Sequence, residues 1–337
     1  MSLPRTVLLL SVVITALALG VDPAPGQKLA PILGQVAGAR TPCTQDTRIS
    51  LENIENYNWS YCNLDLHSFW NSLQVPVGRF TGSELLFDVS STYGDVDGDG
   101  IDERLLHLRL EFNQVSRIVV LKPPTAQVNR WRTVAFLDLD TFHLDPEGRV
   151  VTSGRERWLA VSHIEKAWGT GIFQENESWY ALSNGRFREV LSFPAEGHVT
   201  RVGAPVIEVK FKTSVELGRF DGSKNAINVQ YTTTVGDFAD LPIRTAVRFT
   251  KSPSASAFTF DPAGSTISSG DFLAILNIDS GKLTDQRFLN FAYPALRVVA
   301  HRDASALEWL SELLNSCDAT TQKACASLTS ALESRQR

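Results

Sequence analysis

The chain has 337 residues, 43% hydrophobic and 20% charged, which is the composition of a globular protein and excludes a low-complexity one. A formal net charge of −5 with no basic run argues against nucleic acid or an anionic membrane surface as partner. The length suits one large domain or two small ones.

The first residues have the three parts of a secretory signal peptide. Arg5 supplies the positive n-region, residues 7–19 form an apolar h-region, and Ala18-Leu19-Gly20 is a small-x-small cleavage site. Cleavage is expected after Gly20, so residues 1–20 are the leader and the mature protein is expected to be secreted or periplasmic. It should have no membrane span, because a helical span needs about 20 apolar residues. Residues 21–43, rich in Pro, Gly and Ala, read as a flexible lead-in. Cys43, Cys62, Cys317 and Cys325 in an exported chain suggest disulfides. Three pairings are open, and closeness in sequence favours Cys43–Cys62 with Cys317–Cys325. Neither pair has CxxC spacing, so redox and zinc chemistry have no support.

From residue 85 to residue 260 apolar side chains recur at every second position. Leu85, Phe87 and Val89 begin the pattern, Leu106, Leu108 and Leu110 continue it, and Val209, Phe211 and Val215 repeat it. Such alternation predicts strands with one buried face. Turn signals lie between them, at Pro123-Pro124, Asn184-Gly185 and Asp221-Gly222. Asn184-Gly185 joins two such segments and predicts a tight hairpin. Residues 44–260 are therefore expected to be a mainly β, antiparallel domain, propeller-like or sandwich-like. After residue 260 the period lengthens. Ser305-Ala306-Leu307-Glu308 has capping-box form, and Leu307, Leu310 and Leu314 share a helical face. Residues 261–337 are expected to form an α-helical C-terminal region packed on the β domain.

One motif carries chemistry of its own. Asp95-Val96-Asp97-Gly98-Asp99-Gly100-Ile101-Asp102-Glu103 places five acids in nine residues. Without a cation they repel one another. Acids at alternate positions of a tight loop turn inward together, and calcium takes six to eight hard oxygens. Asp95, Asp97, Asp99 and Glu103 are the expected side-chain ligands of Ca2+. The Ile101 carbonyl is the expected backbone ligand, turned toward the ion by Gly100. An EF-hand is excluded: Leu106 stands where that loop needs Glu, and the flanks alternate as strands.

The pattern resembles the calcium loop of FG-GAP/VCBS-type repeats, D-x-[DN]-x-D-G-x-x-[DE] followed by an apolar strand. Asp95, Asp97, Asp99 and Glu103 match it position by position, and Leu105-Leu106-His107-Leu108 follows as the strand. The resemblance covers roughly residues 85–121 and implies a structural ion pinning a hairpin within a β-blade. Propellers of that family repeat the loop, and this sequence carries it once.

Other chemistry is thinly represented. None of the six His falls in HExxH, and no Ser lies in GxSxG or SxxK. Asp138, Asp140, Glu165 and Glu177 are the acids a glycoside hydrolase would have to bring together in a pair. Trp158, Trp168, Phe173, Trp179 and Tyr180 are the densest aromatic cluster. Trp168, Trp179 and Tyr180 are candidate ligand-binding rings if they lie on an exposed β face, and core if they do not. Asn58 and Asn176 begin glycosylation sequons. The favoured expectation is an exported, non-catalytic, calcium-stabilised protein that meets a protein or glycan ligand at the cell envelope or outside. The alternative is a calcium-dependent exported hydrolase acting on glycans, and a third is a structural envelope component.

Overall fold

The computed structural model describes residues 41–42, 51–58, 71, 73–75, 86–110, 115–140, 147–166, 172–201, 207–218, 225–236, 242–252, 254–267, 269 and 272. The features below belong to the unit Pro42–Arg337. The signal-peptide segment, the four cysteines, Trp168 and the expected helices over 273–337 lie outside the described residues. Among the described residues no helix is long and apolar enough to cross a membrane.

Two antiparallel sheets dominate. The first is the meander β1 (Leu86–Gly94), β2 (Glu103–Leu110), β3 (Val115–Lys122) and β4 (Arg132–Asp140). The second has eight strands in sequence order. They are β5 (Glu147–Ser153), β6 (Glu156–Lys166), β7 (Ile172–Ser183), β8 (Arg186–Arg201), β9 (Ile207–Leu217), β10 (Asn225–Val235), β11 (Ile243–Lys251) and β12 (Thr259–Asp261). A propeller would divide these strands into separate four-stranded blades. The second sheet is instead one open ladder, so of the two expected architectures the described strands follow the two-sheet one.

The sheets share a core. Leu105, Ile118, Val120 and Leu139 of the first pack with Leu159 and Val161 of the second. Full burial of each such side chain contributes about 1.5–3 kcal/mol. The other face of the first sheet is closed as well. Arg104, on β2, donates from Nη2 to Glu55 at 2.9 Å and from Nη1 to the Leu51 carbonyl, both on the 3-10 helix Leu51–Asn56. Arg117, on β3, is fully buried. It grips Asp138 through Nε and Nη2 at 2.5 and 3.0 Å, and its guanidinium lies 4.8 Å from the Phe136 ring centre.

This two-sided cover corrects the expectation of simple alternation. Leu105 and Leu106 are both buried, as are Ile118, Val119, Val120 and Leu121. A strand covered on both faces reads as a continuous apolar run, not as a period of two. On β9 the alternation holds, with Val209 and Phe211 buried and Lys210 exposed between them.

The Asn-Gly hairpin forms as expected. Ser183 pairs with Arg186, and Asn184 and Gly185 have φ of 51° and 72°. Positive φ at both central residues matches the twist of the flanking strands. Gly185→Ala places a Cβ in the left-handed region and is expected to lower stability by about 1–2 kcal/mol. The measurement is a fall in urea midpoint at unchanged slope.

Candidate metal centre

The acidic loop is residues 95–102, between β1 and β2. Its shape comes from local bonds in which each carboxylate caps backbone N–H groups ahead of it. Asp95 accepts from Gly98 N–H at 2.7 Å and Gly100 N–H at 3.2 Å, while Asp97 accepts from Asp99 N–H at 3.2 Å. Asp99 accepts from Ile101 N–H at 2.9 Å. Gly98 and Gly100 sit at φ of 81° and 87°, where L side chains are strained, so the turn depends on both glycines.

Two contacts moor the loop to the sheets. Val96 is buried in the shared core. Arg157, at the start of β6, brings its Nε to 3.6 Å from Asp95 Oδ2. The loop thus sits at the junction of the two sheets. Close by, Thr92 Oγ1 donates to the Gly148 carbonyl across the junction at 2.9 Å.

The five proposed ligands do not stand alike. Carboxylate oxygens of Asp95, Asp97 and Asp99 lie within 4.8 Å of one another. That is about twice a calcium–oxygen distance, so one ion could touch all three. Glu103 is fully buried at the head of β2. Its Oε2 accepts from Val96 N–H at 2.8 Å, and its Oε1 is buried without a hydrogen-bond donor. Burial pushes the Glu103 carboxyl above its ordinary range, with the Asp97 and Asp99 charges adding to the effect. The Ile101 residue is exposed beside the loop.

A residue absent from the sequence reading completes the centre. Lys122, the last residue of β3, brings its Nζ to 2.6 Å from Asp97 Oδ2 and 3.5 Å from Glu103 Oε1, and it also pairs with Asp99. Burial pulls this ammonium down, but its hydrogen bonds to Asp97 and Asp99 outweigh that and hold it above the ordinary lysine range. In return the Lys122 bond, followed by the Ile101 N–H, keeps Asp99 below its ordinary value. Register places Lys122 there. Arg104 pairs with Leu121, so the next position of β3 falls beside Glu103. Nothing near residue 95 in the sequence signals it.

The donor set is all oxygen and mostly carboxylate, which fits a hard divalent cation. When bound, such an ion would supply positive charge that the loop acids and the buried Glu103 Oε1 otherwise draw from the Lys122 ammonium and the Arg157 guanidinium.

The other singled-out residues are used differently. Trp179 is 1% exposed and Tyr180 is packed against the shared core, so β7 has aromatic packing on both faces. Burial, with Glu189 adding to it, pushes the Tyr180 hydroxyl up to about 12. Glu177 is held by both oxygens to Arg149 Nη2 at 2.8 and 2.9 Å, and Asp138 is held by Arg117. The side chains of Asp140 and Glu165 lie outside the described residues. Asn176 is buried and accepts from Gln174 Nε2 at 2.7 Å, which leaves no room for a glycan on the folded strand.

Fold and site define an antiparallel two-sheet β-protein whose sheet junction carries an acidic turn wrapped around a cationic group. The chain matches no protein-family model, no curated protein and no solved structure. Its likeness to FG-GAP/VCBS-type loops therefore rests on the sequence of residues 85–121 alone.

Proposed function

We propose that this is an exported, non-catalytic β-protein whose sheet junction is stabilised by calcium and whose surface makes protein or glycan contacts. Two observations carry the calcium assignment: oxygens of Asp95, Asp97 and Asp99 lie within 4.8 Å of one another, and at the head of the next strand the buried Glu103 Oε1 accepts no hydrogen bond. A buried carboxylate oxygen that faces only an ammonium 3.5 Å away is costly, and a divalent ion would lower that cost. For ligand contact the reading draws on a hollow of about 470 Å³ over β7–β10. There Phe173 and His198 stack with ring centres 5.6 Å apart, beside Lys210, Lys212 and Thr232. Rings flanked by polar donors suit a glycan or a peptide. The hydrolase alternative gains nothing from Asp138 and Glu177, since each is already paired with an arginine.

Thermal unfolding in calcium and in chelator tests the assignment. Calcium at a hundredfold excess over Kd stabilises by about 2.7 kcal/mol, a rise in midpoint of roughly 5–10 °C for a domain of this size. The rise should vanish in Asp97→Ala/Asp99→Ala. A midpoint that ignores calcium in the parent protein refutes the assignment. A glycan array probed with the parent and with Lys212→Glu addresses the hollow.

A further inference from the structure

We propose that Lys122 is a built-in competitor for the calcium site, its ammonium occupying the place among Asp97, Asp99 and Glu103 that the ion would take, so that binding exchanges lysine for metal. The inference rests on the calcium reading and adds how the site is regulated. Nζ makes its contacts with Asp97, Asp99 and Glu103, three of the four carboxylates named as ligands. A divalent ion held by the same oxygens would lie within a few ångströms of that ammonium, and the repulsion forbids both at once. The buried Glu103 Oε1 accepts no hydrogen bond even with Lys122 present, so the ammonium satisfies the cage only in part.

Lysine suits the role. Its charge rides on a flexible four-carbon stem, and the residues beyond it, 124–130, are exposed, so the head can swing outward to water. The loop need not collapse when the metal leaves, because its backbone is held by its own Asp caps and its Val96 anchor. Apparent affinity falls by the fraction of molecules whose site is clear of lysine. The result is a site that fills where free calcium is high, on the order of the 0.1–1 mM range in which extracellular calcium modules work.

Calorimetric titration of the full chain with calcium chloride, comparing the parent with Lys122→Met, reads this directly. Binding about 10- to 100-fold tighter in K122M is the expected result, since charge-assisted hydrogen bonds to two carboxylates no longer compete. Affinities equal within about twofold overturn the competition and leave the calcium reading standing. Binding in K122M alone overturns the exchange in the native chain, where lysine would hold the site permanently, and removes the calcium reading for the parent. No binding in either protein overturns both. Should K122M fail to fold, the parent decides by itself. Reductive methylation with peptide mapping should modify Lys122 several-fold faster in saturating calcium than in chelator, and an unchanged rate overturns the proposal.

Discussion

Trp179→Ala is expected to destabilise the fold by about 3–5 kcal/mol, a fall in thermal midpoint of roughly 10 °C. The ring is 1% exposed, with its centre 5.4 Å from that of Trp158 and 6.4 Å from that of Phe193. Removing it leaves a void between side chains that strand geometry holds apart. It also takes a donor from a buried acid, because Trp179 Nε1 donates to Glu177 Oε1 at 2.6 Å. Arg149 remains on Glu177, so that carboxylate is not stranded. Trp179→Phe separates the two effects. It keeps most of the packing, loses the donor, and should cost about 1–3 kcal/mol. Urea unfolding gives both values, and near-UV circular dichroism should lose the Trp158–Trp179 contribution in each variant. A loss under about 1 kcal/mol in Trp179→Ala would show that this ring is not core.

Gly94→Ala should cost about 1–3 kcal/mol through overpacking. Gly94 ends β1, pairs with Glu103 and leads into the acidic loop. A Cβ there would lie 2.5 Å from Val150 Cγ2 and 2.9 Å from Val150 Cβ, on the facing sheet. The sheets touch so closely at this point that one methyl group must push them apart. Val150→Ala in the same chain removes the Cγ2 contact but keeps the Cβ contact at 2.9 Å, so it should restore part of the loss. The double-mutant cycle should show coupling of at least about 0.5 kcal/mol, whereas additive effects would place the clash elsewhere. Because the clash sits where the loop begins, the rise in midpoint proposed for calcium should be smaller in Gly94→Ala than in the parent.

The two substitutions probe different parts of the functional argument. Trp179 and Tyr180 were sequence candidates for ligand contact, and the structure spends both on packing. The proposed contact with a glycan or peptide then rests on the hollow over β7–β10, where Phe173 and His198 stack. Gly94 tests whether the acidic loop is mechanically part of the sheet junction, which is what a stabilising ion requires.

Several features were legible in the amino-acid sequence because the forces that make them act over a few residues. Asn184-Gly185 specifies its hairpin through backbone sterics alone. The acidic loop bends as expected because Gly98 and Gly100 permit positive φ and each Asp caps the N–H groups just ahead of it. Alternation in β9 marks a strand with one buried face. What the tertiary structure alone decided depends on register and on which sheet faces which. Leu105-Leu106 and residues 118–121 are buried on both faces: the second sheet covers the side of Leu105, Ile118 and Val120, and the opposite side, where Arg104 binds Glu55, is closed as well. Arg157 reaches Asp95 only because β6 starts against the loop. Lys122 enters the acidic cage only because β3 pairs with β2 in the register that sets Leu121 opposite Arg104. A charge that arrives from a neighbouring strand leaves no trace in the local sequence, and at this site that charge determines how the acids are balanced.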